Sequence, residues 1–273
     1  MTRLIRPAVF VALALIVVLV GAGLLLGGEA WLASRGQTPP DPPPGPEDLP
    51  IGAGGAGGIG GAGGAGGAGG AGEGATPVPV PVVVWLGDST AAGVGASGPA
   101  RALPRQVAQL LGHPIRLTVL AHSGARVADV LRLQLPRVAA VHPTEVFISV
   151  GANDATHLTS RPRFRRDYDR LVGGLPDSVT RVVLLGVPDL GGPRRLAQPL
   201  RAVAGWRGRA LATDIRNLAR RRRAIYVDIA RGTGPAFRRE PKRYFFSDRY
   251  HPNDAGYHLW ATVVAAAVQG GGG

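Results

Sequence analysis

Pro81-Val82-Val83-Val84-Trp85-Leu86-Gly87-Asp88-Ser89-Thr90-Ala91-Ala92-Gly93-Val94-Gly95 is the stretch whose reading decides the fold. Residues 82–86 form a short apolar, β-branched run of the kind that fills the interior of a parallel sheet. Gly87 ends the strand, and Gly93 and Gly95 keep the following turn open. A hydroxyl at the carboxyl end of a strand sits where open α/β sheets place their ligands. The spacing is not the Gly-x-Ser-x-Gly elbow of α/β-hydrolases, because Ala91 occupies the last position. An ordinary strand-to-loop turn with a capping serine would look the same in isolation. The rest of the chain has to decide between them.

Working outward toward the carboxyl end, strands and helices alternate. Further strands are predicted at 115–120, 146–150, 182–187 and 225–229. Helices are predicted at 100–111, 127–141, 166–175, 202–222 and 257–268, the second of them perturbed by Pro136. Strict alternation argues for a parallel sheet covered on both faces, with right-handed crossovers. The expectation is an α/β domain over residues 77–269 with a central, mostly parallel five-stranded sheet.

Toward the amino end the chain changes character. Residues 1–7 carry Arg3 and Arg6 and are read as a cytoplasmic amino terminus. Residues 8–28 contain no charged side chain and match the length of about 20 residues that a membrane-spanning helix needs. The flanking arginines favour an amino-in orientation. We read 8–28 as a retained signal anchor, with a cleaved signal peptide at Ala30-Trp31-Leu32-Ala33-Ser34 as the alternative. The catalytic domain is then extracytoplasmic: a single-pass membrane protein, or a secreted one after cleavage. Residues 29–76 read as a disordered linker, first proline-rich and then a repeat of Gly and Ala.

Composition excludes several classes. The 273 residues include no cysteine, so neither a disulfide nor a thiolate nucleophile is available. The net charge of +13 is almost entirely arginine, and Lys242 is the only lysine. A balance this basic warns of nucleic acid. However, aromatics are only 5% of residues, too few for a base-stacking platform, and no nucleic-acid partner is expected. The run Arg220-Arg221-Arg222-Arg223 ends a predicted helix, where cations stabilise the dipole and face solvent. No metal-ligand spacing is present, so neither a metal nor a cofactor is expected.

Three loops complete the pattern: Ala121-His122-Ser123-Gly124-Ala125-Arg126, Gly151-Ala152-Asn153-Asp154, and Ser247-Asp248-Arg249-Tyr250-His251-Pro252-Asn253-Asp254-Ala255-Gly256. With Gly87-Asp88-Ser89 they resemble, in order, the four signature blocks of the SGNH (GDSL-type) hydrolases. The resemblance runs over about residues 82–268. It implies a flavodoxin-like three-layer α/β/α fold and metal-free ester or thioester hydrolysis. One departure lies in the second block, where His122 and Ser123 stand in the region that often carries an asparagine before the glycine.

The chemistry is sound in its own terms. Ser89 needs a base to become a nucleophile, and His251 is the natural one. Asp248, three residues earlier, can take the Nδ1 proton and orient the ring. The resemblance implies an oxyanion hole from the Ser89 and Gly124 N–H groups and the Asn153 amide. Asp88 is expected to hydrogen-bond its turn and Asp154 to brace the Asn153 loop. His122 and His157 are candidates for the pocket wall, and His258 for packing or surface. The expected function is an extracytoplasmic serine esterase or lipase-type hydrolase working through an acyl-enzyme on Ser89. Its partners would be an ester substrate (small-molecule, lipid or acylated glycan) and, through residues 8–28, the membrane. A cell-envelope O-acyltransferase with the same triad and a non-enzymatic envelope-binding module are the alternatives.

Overall fold

The structure, a computed structural model, describes residues 79–271 together with Gly21 and the backbone of Pro50 and Ile51. Most of the expected amino terminus, anchor and linker therefore lies outside the described residues. Among the described residues no helix is long and apolar enough to cross a membrane.

Five parallel strands form the sheet: β1 Val82–Gly87, β2 Ile115–Val119, β3 Glu145–Ser149, β4 Arg181–Leu185 and β5 Ile225–Val227. Their spatial order is β2-β1-β3-β4-β5, the flavodoxin-like order that the resemblance implied. Trp85 pairs with Val119 on one side and with Phe147 on the other, so β1 is central and its run is covered from both faces. One part of the expected linker behaves differently. Pro50–Ile51 adds antiparallel to β2, with Ile51 opposite Ile115. The unpaired edge of β2 offers a row of backbone groups, and a proline is tolerated at such an edge.

Side chains alternate across the sheet and divide the core in two. Val84, Leu86, Val146, Ile148 and Leu184 face one helical layer. Val83, Trp85, Phe147, Val183 and Leu185 face the other. The first layer holds a helical segment of residues 127–141 (α3), α5 Arg161–Gly173 and α6 Leu200–Arg222. The second holds α2 Leu103–Leu111, α7 Ile229–Arg239 and α9 Asp254–Gly270. Each fully buried large side chain contributes roughly 1.5–3 kcal/mol. Trp85 does more than fill space. It stacks on Phe147 with centroids 4.7 Å apart, and its Nε1 donates to Ser149 Oγ at 3.0 Å.

Three shorter α-helices lie between these elements: α1 Ser89–Ala92, α4 Ala152–Thr156 and α8 Pro241–Tyr244. Several boundaries differ from the sequence reading, each for a local reason. Helix α5 begins at Arg161 rather than 166, with Pro162 in its first turn, where a missing N–H costs nothing. Helix α9 begins at Asp254 rather than 257, because the Asn253 side chain accepts from Gly256 N. Helix α7 was not expected at all: Gly232, Gly234 and Pro235 lie within it and mimic a loop. Pro136 does disturb α3. A π-turn at Val130–Gln134 precedes it, widening the helix where the proline cannot donate.

Candidate active site

The site forms at the carboxyl edge of β1 and β3, where the strand order reverses. Gly87 lets the two strand ends approach. Its φ is +156°, and a Cβ there would lie 2.2 Å from the Ser149 carbonyl oxygen. Gln134, turned inward by the π-turn, clamps the same residue. It accepts from Gly87 N at 2.9 Å and donates to Gly87 O at 2.8 Å. The sequence reading missed Gln134. Its signal was an amide in register with Val127, Val130 and Val138, the buried stripe of α3.

Beyond Gly87, the Asp88 carboxylate caps α1, accepting from Thr90 N at 3.0 Å and Thr90 Oγ1 at 2.8 Å. That fixes Ser89 as the first helical residue. The triad loop arrives from the opposite end of the chain. Its turn is tight, with Arg249 at φ +58°. There Asp248 Oδ1 accepts from both Tyr250 N and His251 N, at 2.9 and 3.0 Å. Gly95 admits this loop, since a Cβ at that position would lie 2.4 Å from Pro252 O.

Ser89, Asp248 and His251 are brought together in a line. His251 Nδ1 lies 2.6 Å from Asp248 Oδ2, and His251 Nε2 lies 3.0 Å from Ser89 Oγ. A carboxylate on Nδ1 holds the proton there, so Nε2 presents its lone pair to the serine hydroxyl. Burial pushes the Asp248 carboxyl up, but the hydrogen bonds from His251 and Tyr250 outweigh it and hold it below the ordinary value. Asp248 is therefore ionised at neutral pH. A residue the sequence reading passed over also reaches it: Arg195 Nη1 stands 3.6 Å from Asp248 Oδ2.

Asn153 lies across the pocket from this line. Its Nδ2 donates one hydrogen to Ala125 O at 3.1 Å, which fixes the amide's orientation and leaves the second hydrogen for a ligand. Gly124, at φ +77°, precedes Ala125 and does not itself line the pocket. Asp154 braces this region as expected and more widely: it accepts from Val127 N at 3.0 Å and is bonded by the Thr159 side chain. His122 and His157 are exposed and do not line the pocket. His258 is exposed on α9, with Gln106 Oε1 at 3.0 Å from its Nδ1.

The pocket, about 540 Å³ with its open mouth included, meets solvent beside Ser89 and His251. Its far wall is apolar: Pro188, Leu190, Phe237, Phe245 and Trp260. This is an arrangement for a nucleophilic hydroxyl, a base, an amide donor and an apolar group held together. Removing an amide that meets a developing oxyanion typically costs 10²–10³ in rate. Asn153→Ala should therefore lower kcat by about 10²-fold or more with little change in KM, as steady-state kinetics on a soluble ester would show. Equal losses in binding and turnover would assign the amide to substrate binding alone.

Asp88 makes a separate prediction about stability. Burial pushes its carboxyl up to about 6, against the hydrogen bonds from Thr90. Its proton is thus held more tightly in the folded chain than in the unfolded one. The sign follows: stability is full below the unfolded value of 3.8 and declines as pH rises through about 6. Asp88→Asn keeps an oxygen for the two Thr90 donors and removes the charge. We expect it to gain on the order of 1–3 kcal/mol over the parent near pH 8 and almost nothing near pH 4. Urea midpoints at the two pH values test this, and an equal gap at both would refute the buried charge.

Comparison with known proteins places these features among relatives. A family model described as the GDSL-like lipase/acylhydrolase family matches residues 85–259. A GDSL-like esterase of Mycobacterium tuberculosis is 33% identical in an alignment of 197 residues that covers 67% of this chain. The match spans 60% of that relative's length. Among solved structures, a lipase/acylhydrolase from Enterococcus faecalis superposes with a TM-score of 0.56 at 19% identity, over 70% of this chain and 96% of its own. An acetylxylan esterase from Geobacillus stearothermophilus gives 0.53 at 21%, over 69% and 94%. At these identities the structural likeness is one of fold.

Proposed function

Because the chain belongs to the GDSL-like lipase/acylhydrolase family, we propose that it is a serine esterase acting outside the cytoplasm. The observation that carries the reading is the unbroken line from Asp248 through His251 to Ser89, opening onto a pocket with an apolar wall. Ser89 Oγ attacks the ester carbonyl while His251 Nε2 takes its proton. The negative charge that develops on the carbonyl oxygen meets the Asn153 amide and the Ser89 N–H group, the two donors of the expected set that line the pocket. As the tetrahedral species collapses, His251 returns the proton to the departing alcohol. Water, activated by the same nitrogen, then releases the acid from Ser89. Asp248 remains ionised throughout and stabilises the imidazolium.

The apolar wall suits an acyl group, and Ser89 and His251, 7% and 4% exposed, present little surface to bulk water. An envelope-binding module without activity would have no need of this geometry. The extracytoplasmic site and the membrane tether rest on residues 1–28 of the sequence. Labelling the full chain with a fluorophosphonate, and assaying p-nitrophenyl esters of increasing chain length, tests the reading. Single labelling at Ser89 with turnover supports it. No labelling of the folded protein, with no turnover on any ester, would overturn it.

A further inference from the structure

We propose that the outer face of α5 and α6 is a docking surface for an anionic lipid bilayer. The two helices, with the capping Arg223, carry thirteen arginines and three aspartates, and no lysine or glutamate. All three aspartates are already engaged. Asp214 takes Arg161, Asp167 takes Arg163 and Arg166, and Asp169 takes Arg222. Arg165, Arg170, Arg209, Arg220, Arg221 and Arg223 are exposed and have no carboxylate partner among the described residues. The sequence reading assigned Arg220 to Arg223 to a solvated helix end. Folding places that run beside the arginines of α5, and the field is no longer that of one helix terminus.

The face also has an apolar component. Trp206, Arg209, Thr213, Asn217 and Arg220 are all exposed and recur at helical spacing, opposite the buried Leu211, Ile215 and Leu218. Trp206 is 61% exposed, more than any other large apolar side chain described. A shallow groove runs between the helices, with the exposed Arg165 and Arg221 at its rim and the buried Phe164 and Leu218 in its floor.

Charge complementarity selects a polyanion, and the tryptophan selects its kind. Tryptophan favours the headgroup level of a bilayer, and guanidinium groups pair with phosphodiesters. A single aromatic on the face offers no row of rings for stacking bases, which argues against nucleic acid. The apolar run at 8–28 is long enough to enter the same bilayer. Both α5 and α6 start at the carboxyl edge of the sheet, so a bilayer on their outer face leaves the mouth beside Ser89 at its border, open to esters arriving from lipid or solution.

The chain has no cysteine, which allows single labels. Thr213→Cys on the proposed face and Ala266→Cys on the exposed side of α9 would each carry an environment-sensitive fluorophore in the full chain. Vesicles of phosphatidylcholine are compared with vesicles that also contain phosphatidylglycerol. The label at 213 should shift to the blue only with the anionic lipid and return at high salt. The label at 266 should not respond. Arg165→Gln/Arg209→Gln/Arg220→Gln/Arg221→Gln should abolish the shift, since each arginine near such a surface is worth about fivefold in partitioning. Unchanged hydrolysis of a soluble ester by this variant would show it to be folded. Equal responses of both labels, a response on phosphatidylcholine alone, or binding to DNA or heparin without any response to vesicles would each overturn the proposal.

Discussion

Ser89→Ala should reduce ester turnover by about 10⁴–10⁶-fold while leaving the fold intact. Ser89 Oγ is the hydroxyl that faces His251 Nε2, and no thiol exists anywhere in the chain to replace it. Thr90 is next in sequence, but its Oγ1 is committed to Asp88, so it cannot stand in. The structural cost is small. The lost contact is one hydrogen bond, worth on the order of 1 kcal/mol, and the α1 cap from Asp88 is untouched. Adding His251→Ala to Ser89→Ala should make the enzyme scarcely worse, because base and nucleophile act as a unit. Burst kinetics and melting of purified variants would check this. Turnover within tenfold of the parent by folded Ser89→Ala, with contaminating esterase excluded, would remove Ser89 from the mechanism.

The parts of this molecule that were legible in the sequence are those encoded by contiguous residues. The β1 run shows its buried, parallel character because each side chain from Val83 to Leu86 is apolar. The Asp-x-x-His spacing shows its geometry because one tight turn brings Asp248 Oδ1 onto two backbone N–H groups of its own loop. What escaped is encoded by contacts between distant segments. Gln134 meets Gly87 only after α3 has folded across β1. Helix α7 hides behind two glycines and a proline. It forms because Phe237 packs on Tyr244, Phe245 and Trp260, contacts that propensity does not register. The arginine face likewise exists only once α5 and α6 lie side by side.

Asp248→Asn should lower kcat by about 10³–10⁴-fold, close to the loss expected for removing the base itself. The local chain suggests a mild effect, since an orienting group is replaced by one of the same shape. The structure argues otherwise. Asp248 Oδ1 accepts from Tyr250 N and His251 N, while Oδ2 faces His251 Nδ1. An asparagine must keep its oxygen toward the two backbone donors, because turning the amide would set its NH₂ against both of them. Its nitrogen then points at Nδ1 and donates to it. The ring is forced into the tautomer that carries its proton on Nε2, the atom that must accept from Ser89. The site is 4% exposed at Asp248, so water cannot relieve the conflict. The substitution also strips Arg195 of the carboxylate beside it. Folding should survive, because both backbone hydrogen bonds remain. The expected signature is therefore a melting temperature near the parent's, a KM close to unchanged and a collapse of kcat. An Asp248→Asn enzyme that keeps a tenth or more of parental kcat would mean that the ring does not depend on Asp248 for its tautomer.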